Sequence, residues 1–263
     1  MLPNPILIII PGKVEIYMYG LMIALGLLAC FGVLFFFAKK RGLSSQLVDF
    51  IFTAGAVSIA IGFLFAALFQ ATYNYIENPS AGFRFGGITF IGGLIGGVIA
   101  FIASYFIFGK KYGKLWDITE IAPCCIFIAH GFGRLGCFFA GCCYGKITDS
   151  SLGMVFGPHV EGGAAVYPTN LYEAIFLFIM FGVVTYLYLT KKSKHNLAIY
   201  LISYGIFRFF IEYMRGDHRG GFIPGLSPSQ FWSILMVVAG IGLILFHYFV
   251  KPKLAEKKAQ KQA

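Results

Sequence analysis

Long apolar runs separated by short polar connections make up almost the whole chain. Runs of about 20 residues, the length an α-helix needs to cross the hydrocarbon of a bilayer, fall near Ile16 to Ala38, Leu47 to Phe69, Ile88 to Phe108 and Ile118 to Ala140. Three more fall near Leu171 to Leu189, Leu197 to Met214 and Ser229 to Val250. The pattern predicts an all-α integral membrane protein of about seven transmembrane helices. No linker or soluble domain interrupts it, so a single polytopic membrane domain over 1–263 is expected, with 141–168 as an outer loop and 251–263 as a basic cytoplasmic tail. A second outer segment is expected from Thr72 to Gly87.

Composition agrees with the pattern. Apolar residues make up 58% and charged residues 12%, and the mean hydropathy is +0.78; a soluble fold of this size could not cover so much apolar surface. The start, MLPNPILIII, has no basic n-region and no small-residue cleavage site, so a cleaved signal peptide is not expected.

The net charge of +10 raises the question of nucleic acid, and the placement of the charges answers it. Lys39, Lys40, Arg41, Lys110, Lys111, Lys114, Lys191, Lys192, Lys194, Lys251, Lys253, Lys257, Lys258 and Lys261 are 14 of the 21 basic residues, and all lie on every second connection or in the tail. The other side has Lys13, Arg84, Arg134, Lys146, Arg208, Arg215 and Arg219. By the positive-inside rule this asymmetry predicts an outer N-terminus and a cytoplasmic C-terminus. The excess charge then belongs to topology and to contact with membrane lipids, not to nucleic acid.

Ionisable groups inside a bilayer are costly, which makes each one a candidate for function. The fourth run ends in HGFGRLGCFFAGCCYG, where His130 and Arg134, four apart, share a face if the glycines leave the helix intact. The sixth ends in FRFFIEYMRGD, where Arg208, Glu212 and Arg215 fall at i, i+4 and i+7, as one stripe. Glu173 follows one turn into the fifth. At 1.5 Å per residue Arg208 lies about 16 Å, and Arg134 about 24 Å, from the basic edge of its span, both in the outer half of the hydrocarbon. Tyr19 and Ile91 lie near the outer ends of their own runs. A buried Arg208–Glu212 pair that only fixes helix packing is one reading. The other is that three arginines against one or two acids hold an anion, and a phospholipid phosphate suits the guanidinium fork.

Two further patterns have a plain structural alternative. In GGITFIGGLIGG, Gly92 with Gly96 and Gly93 with Gly97 are small-xxx-small pairs that let helices approach closely, or bare backbone lining a headgroup cavity. Of the six cysteines, Cys30, Cys124 and Cys125 lie in apolar runs. Cys137, Cys142 and Cys143 have no zinc-like spacing, because adjacent cysteines do not readily share a tetrahedral site. No metal is expected there; close packing is, with oxidation at the outer face as an alternative.

Taken together and in order, YMYGLMIAL (Tyr17 to Leu25), GFGRLG and the glycine-rich turn to Gly145, PTNLYE (Pro168 to Glu173), FRFFIEYMR (Phe207 to Arg215) and PSQFW (Pro228 to Trp232) resemble the prolipoprotein diacylglyceryl transferase family. The resemblance implies a multi-pass protein of the bacterial plasma membrane. Its activity would move the diacylglyceryl group of phosphatidylglycerol onto the thiol of a prolipoprotein lipobox cysteine, without a cofactor. It implies catalytic roles for Tyr19, Arg134, Arg208 and Glu212 and substrate binding by Arg134, Gly145, Glu173, Arg208 and Arg215. The chain departs from the family at Ile91 and Tyr167, where histidines are typical, at Cys137, where asparagine is typical, and at Phe63, where an arginine is typical. Those departures leave open a divergent paralogue acting on another acceptor, or a phospholipid-binding or flipping protein without catalysis.

Overall fold

Among the described residues, seven α-helices follow one another, as the apolar pattern predicts. The structure is a computed structural model that describes residues 6–10, 14–87, 89–156, 160, 163–191, 193–216 and 225–250. The helices are α1 (Met18–Arg41), α2 (Ser45–Glu77), α3 (Phe90–Ile107), α4 (Leu115–Phe139), α5 (Thr169–Tyr186), α6 (Asn196–Ile211) and α7 (Pro228–Leu245). Six helical stretches are long and apolar enough to cross a membrane; the seventh, Gly92–Ile107, is shorter but apolar. Lys13, Ile88, Lys192, Arg219 and the tail 251–263 lie outside the described residues. Two short hairpins among the described residues accompany the helices, β1 (Ile6–Ile10) with β2 (Val14–Tyr17), and β3 (Met154–Val155) with β4 (Ala165–Val166). The chain forms two compact units, Ala38–Ile118 and the remainder.

In the Ala38–Ile118 unit, α2 and α3 pack along their glycines. A Cβ on Gly93 would stand 3.3 Å from the Gly62 carbonyl oxygen, and one on Gly97 3.3 Å from that of Ser58. Gly92 and Gly96 are covered by the rings of Phe69 and Phe65. The glycine pairs therefore serve close helix approach, with aromatic rings over Gly92 and Gly96. The Thr89 hydroxyl donates to Gln70 Oε1 at 2.6 Å and its amide to the Ala66 carbonyl at 3.1 Å, tying the start of α3 to α2. At the opposite end Leu47, Tyr105 and Ile118 form a buried cluster, and the Ser44 hydroxyl caps α2 by accepting from Leu47 N.

In the larger unit the core is built from Phe127, Leu177, Val184, Tyr188 and Ala198, each at most 2% exposed. Glycine again sets the closest approach: a Cβ on Gly205 would meet the Ser233 carbonyl at 2.9 Å, and one on Gly240 that of Ala198 at 3.1 Å, so α6 and α7 lie nearly backbone to backbone. This fixes the C-terminal end of α6 against the N-terminal end of α7, where the candidate residues gather.

Candidate active site

The α4 helix runs unbroken through Gly131, Gly133 and Gly136 to Phe139, so His130 and Arg134 share a face. Its glycines make room for aromatic neighbours: a Cβ on Gly131 would press on the Phe178 ring at 2.9 Å, and one on Gly136 on the Tyr19 ring at 3.1 Å. The face carrying His130 and Arg134 meets Glu173 in the second turn of α5. Glu173 is completely buried. Its Oε1 lies 3.0 Å from Arg134 Nε, accepts the Tyr204 hydroxyl at 2.7 Å and faces His130 Nε2 at 3.8 Å. The His130 ring stands edge-on to the Tyr204 ring at 4.9 Å. Such a carboxylate, out of water, is held in place by the positive charge and hydrogen bond it receives.

A second ion pair closes the end of α6. Arg208 Nη1 lies 2.7 Å from Glu212 Oε2, and Arg208 Nη2 donates to Ser229 Oγ at 2.8 Å. The Ser227 hydroxyl donates to Glu212 Oε1 at 2.8 Å. Ser227 is also the N-cap of α7, with Pro228 next and Gln230 completing a capping box, a motif that satisfies two helix-end amides at once. Both members of the pair are thus fixed by residues of the S-P-S-Q turn.

Arg215 leaves the helical stripe that its spacing predicted. The α-helix ends at Ile211, residues Glu212–Met214 form a tighter 3₁₀ turn, and Arg215 is extended, with φ −84° and ψ 144°. It instead forms a β-bridge with Gly145 and is 5% exposed. Here three segments meet: Gly145 N donates to the Tyr167 carbonyl at 2.7 Å and Lys146 N to the Met214 carbonyl at 2.8 Å. A Cβ on Gly145 would collide with the Met214 carbonyl oxygen and lie 2.9 Å from Thr169 Cγ2. The glycine is required by backbone crowding.

The preceding turn holds Cys142 and Cys143, and Cys137 stands in the last turn of α4. Asn170 Nδ2 donates to the Cys142 carbonyl at 2.8 Å and the Thr169 hydroxyl to the Cys143 carbonyl at 3.0 Å, so the first residues of α5 pin the turn. Cys143 is left-handed at φ 61°, the one non-glycine residue so disposed among the described residues. The sulfurs of Cys137, Cys142 and Cys143 lie within 4.8 Å of one another. Adjacency in sequence therefore does not keep the Cys142 and Cys143 sulfurs apart. Hydrogen bonds from Cys137 and Cys142, with the positive charges of Arg215 and Arg134, pull the Cys143 thiol below the usual thiol range. The hydrogen bonds with Cys137 and Cys143 push the Cys142 thiol up.

The structure brings Arg134, Glu173 and His130 into one group, Arg208 and Glu212 into a second, and Gly145 with Arg215 into a third. Tyr19, 44% exposed, packs on Gly136 and shares the surroundings of Arg134 and the three thiols. Ile91, in the first turn of α3, belongs to the other compact unit. Tyr167 contributes its backbone carbonyl to Gly145. A groove of about 650 Å³ lined by Asp49, Phe50, Ser104, Phe108 and Tyr112, among others, contains none of the candidate residues. Sequence reasoning missed Tyr204, Ser227, Ser229, Thr169 and Asn170. Tyr204 could have been found, because it extends the Arg208–Glu212 spacing one turn backwards, and S-P-S-Q is a capping-box signature.

A family sequence model described as "Prolipoprotein diacylglyceryl transferase" matches residues 5–246. Among curated proteins, the phosphatidylglycerol–prolipoprotein diacylglyceryl transferase of Clostridium tetani is 38% identical over 237 residues, covering 86% of this chain and 91% of the relative. A relative from Clostridium perfringens, named as a second such transferase, is 35% identical over 86% of this chain and 89% of its own length. The transferase of Francisella tularensis subsp. novicida is 33% identical over 92% of each chain.

Proposed function

The chain belongs to the prolipoprotein diacylglyceryl transferase family, and on that premise we propose that it transfers the diacylglyceryl group of phosphatidylglycerol to the thiol of a lipobox cysteine, in a bacterial plasma membrane. The observation that carries this reading is the pair of arginines, Arg134 and Arg208, each supplied by a different helix and each locked by a buried carboxylate. With Arg215 they make three guanidiniums against Glu173 and Glu212, leaving one formal positive charge at a site for an anion. The phosphate diester of phosphatidylglycerol is that anion.

In this reading the acceptor thiolate attacks the glyceryl carbon next to the phosphate. A C–S bond forms, the C–O bond to phosphate breaks, and glycerol phosphate departs with the electron pair. The guanidiniums neutralise the charge that concentrates on the leaving phosphate, a preorganised electrostatic contribution. Glu173 and Glu212 position Arg134 and Arg208. Tyr19, partly exposed beside Gly136, is placed to donate its hydroxyl near the reacting centre. The nucleophile comes with the substrate, so the chain supplies none of its own.

A second reading, lipid binding without transfer, is favoured by the departures at Ile91, Cys137 and Tyr167. Mass spectrometry after incubation of the purified protein with phosphatidylglycerol and a lipobox peptide decides between them. A thioether-linked diacylglyceryl peptide is expected; bound phosphatidylglycerol with unchanged peptide would establish the second reading instead.

A further inference from the structure

Cys137, Cys142 and Cys143 have no role in the mechanism above, yet the chain converges on them from two directions. Cys137 lies one turn beyond Arg134 on α4, while Cys142 and Cys143 come from the turn that follows. All three are free thiols and partly exposed. Their sulfurs fall within 4.8 Å of one another, and the turn that gathers them is held by Asn170 and Thr169 through the carbonyls of the two adjacent cysteines.

We propose that these three cysteines form a thiolate site for a soft metal cation of the zinc class, with the fourth coordination position open to the acceptor's sulfur. The second half of that statement rests on the transferase reading. With zinc–sulfur bonds of about 2.3 Å, the sulfurs of a tetrahedral site stand about 3.8 Å apart. The observed cluster needs to tighten by no more than about 1 Å, within reach of side-chain rotation. A disulfide would use two of the sulfurs and leave the third without a purpose, whereas a cation uses all three. Three protein ligands and one open position are the pattern of a catalytic zinc centre, while a closed structural site takes four.

Charge supports the same assignment. Three thiolates around a divalent cation carry one net negative charge, and a fourth thiolate raises it to two. Arg134, one turn before Cys137 on α4, and Arg215, bridged to Gly145 two residues beyond Cys143, bring positive charge to this region that offsets the excess. Binding would displace the protons of the three cysteines, and of the acceptor thiol, to water. A metal-bound thiol is deprotonated outright, so the acceptor would arrive as the thiolate that attacks the glyceryl carbon. That removes the need for a protein base to take the thiol proton.

The test uses the full-length protein purified in detergent without chelators. Added Co(II) is expected to give intense thiolate-to-cobalt charge-transfer absorption, reaching saturation at about one ion per chain. Zinc should displace it. Cys137→Ser and Cys143→Ser should each abolish the band, and because either variant could misfold, the titration of the unaltered chain is the deciding measurement. No charge-transfer band there, or a thiol count showing a disulfide, overturns the metal site. Addition of a lipobox peptide should shift the ligand-field bands, and its alkylated counterpart should not; equal responses to both overturn the open position. These spectra do not depend on turnover. A normal cobalt spectrum without diacylglyceryl transfer would defeat the transferase reading alone, and transfer at an equal rate with and without bound metal would defeat this inference alone. Where transfer is measured, chelation should slow it up to about thirtyfold at pH 7, the factor by which a free thiol of pKa about 8.5 is short of full ionisation.

Discussion

Glu173 collects Arg134, Tyr204 and His130 on one oxygen, while Glu212 fixes Arg208 with the help of two serines. The chemistry of each arginine therefore depends on the carboxylate that holds it. Arg208→Ala and Arg208→Lys are expected to purify folded and to weaken phosphatidylglycerol binding, with transfer falling about 10²- to 10³-fold as one charged donor to the leaving group is lost. Lysine does not rescue, because a point charge cannot serve Glu212 and phosphate as a planar fork does. Unchanged lipid affinity in folded Arg208→Ala, measured by native mass spectrometry, would reduce the pair to helix packing. Glu173→Ala removes one partner of a buried pair and is expected to destabilise by about 3–5 kcal/mol, seen as a lower midpoint in a thermal scan. Arg134, Arg208, Glu173 and Glu212 were legible in the sequence because charges in apolar runs are conspicuous. Tyr204, Ser227 and Ser229 are less conspicuous, since hydroxyls are common in such runs and only the spacing of Tyr204 from Arg208 and the capping-box pattern of S-P-S-Q mark them.

At the scale of elements, the seven helices could be read directly from the apolar runs, because a bilayer imposes both length and composition. The loop ends could not. Arg215 reads as part of a helical stripe by spacing, yet the 3₁₀ turn at Glu212–Met214 rotates it into a bridge with Gly145, and that bridge depends on contacts with Tyr167 and Met214, far apart in sequence. The pairing of β3 with β4 is equally non-local, and two-residue strands leave no periodic trace. Gly145 is where three segments cross, so Gly145→Ala is expected to cost about 1–3 kcal/mol by overpacking and to open the 145–167 connection. Faster cleavage of that connection in limited proteolysis, with the helices intact by circular dichroism, is the expected result. Gly182, within α5 and with nothing within 4 Å of an added Cβ, supplies the control: Gly182→Ala should be neutral, or stabilising by up to about 1 kcal/mol. If the two variants behave alike, crowding at Gly145 is not what holds the loop.

The orientation of the whole molecule decides whether the arginines and thiols meet the outer leaflet. With about seven crossings and 14 of 21 basic residues on alternate connections and in the tail, we propose that the N-terminus lies outside, since lysine- and arginine-rich loops are retained in the cytoplasm. The ends of α4 and α6 that carry Arg134 and Arg208, the start of α5 that carries Glu173, and the turn at Cys142 and Cys143 would then lie on the outer side. A cysteine-free background is unsuitable if Cys137, Cys142 and Cys143 hold a cation, so a tag read by a membrane-impermeant protease is the better reporter. A cleavable tag inserted after Asp149 is expected to be cut in intact cells, and one after Ser193 only after lysis. The opposite pattern would place the arginines in the inner leaflet, away from a substrate arriving from the outer side. In that case the ion pairs would keep their place in helix packing, but the reading of Arg134 and Arg208 as the phosphate site of an outer-leaflet transferase would have to be given up.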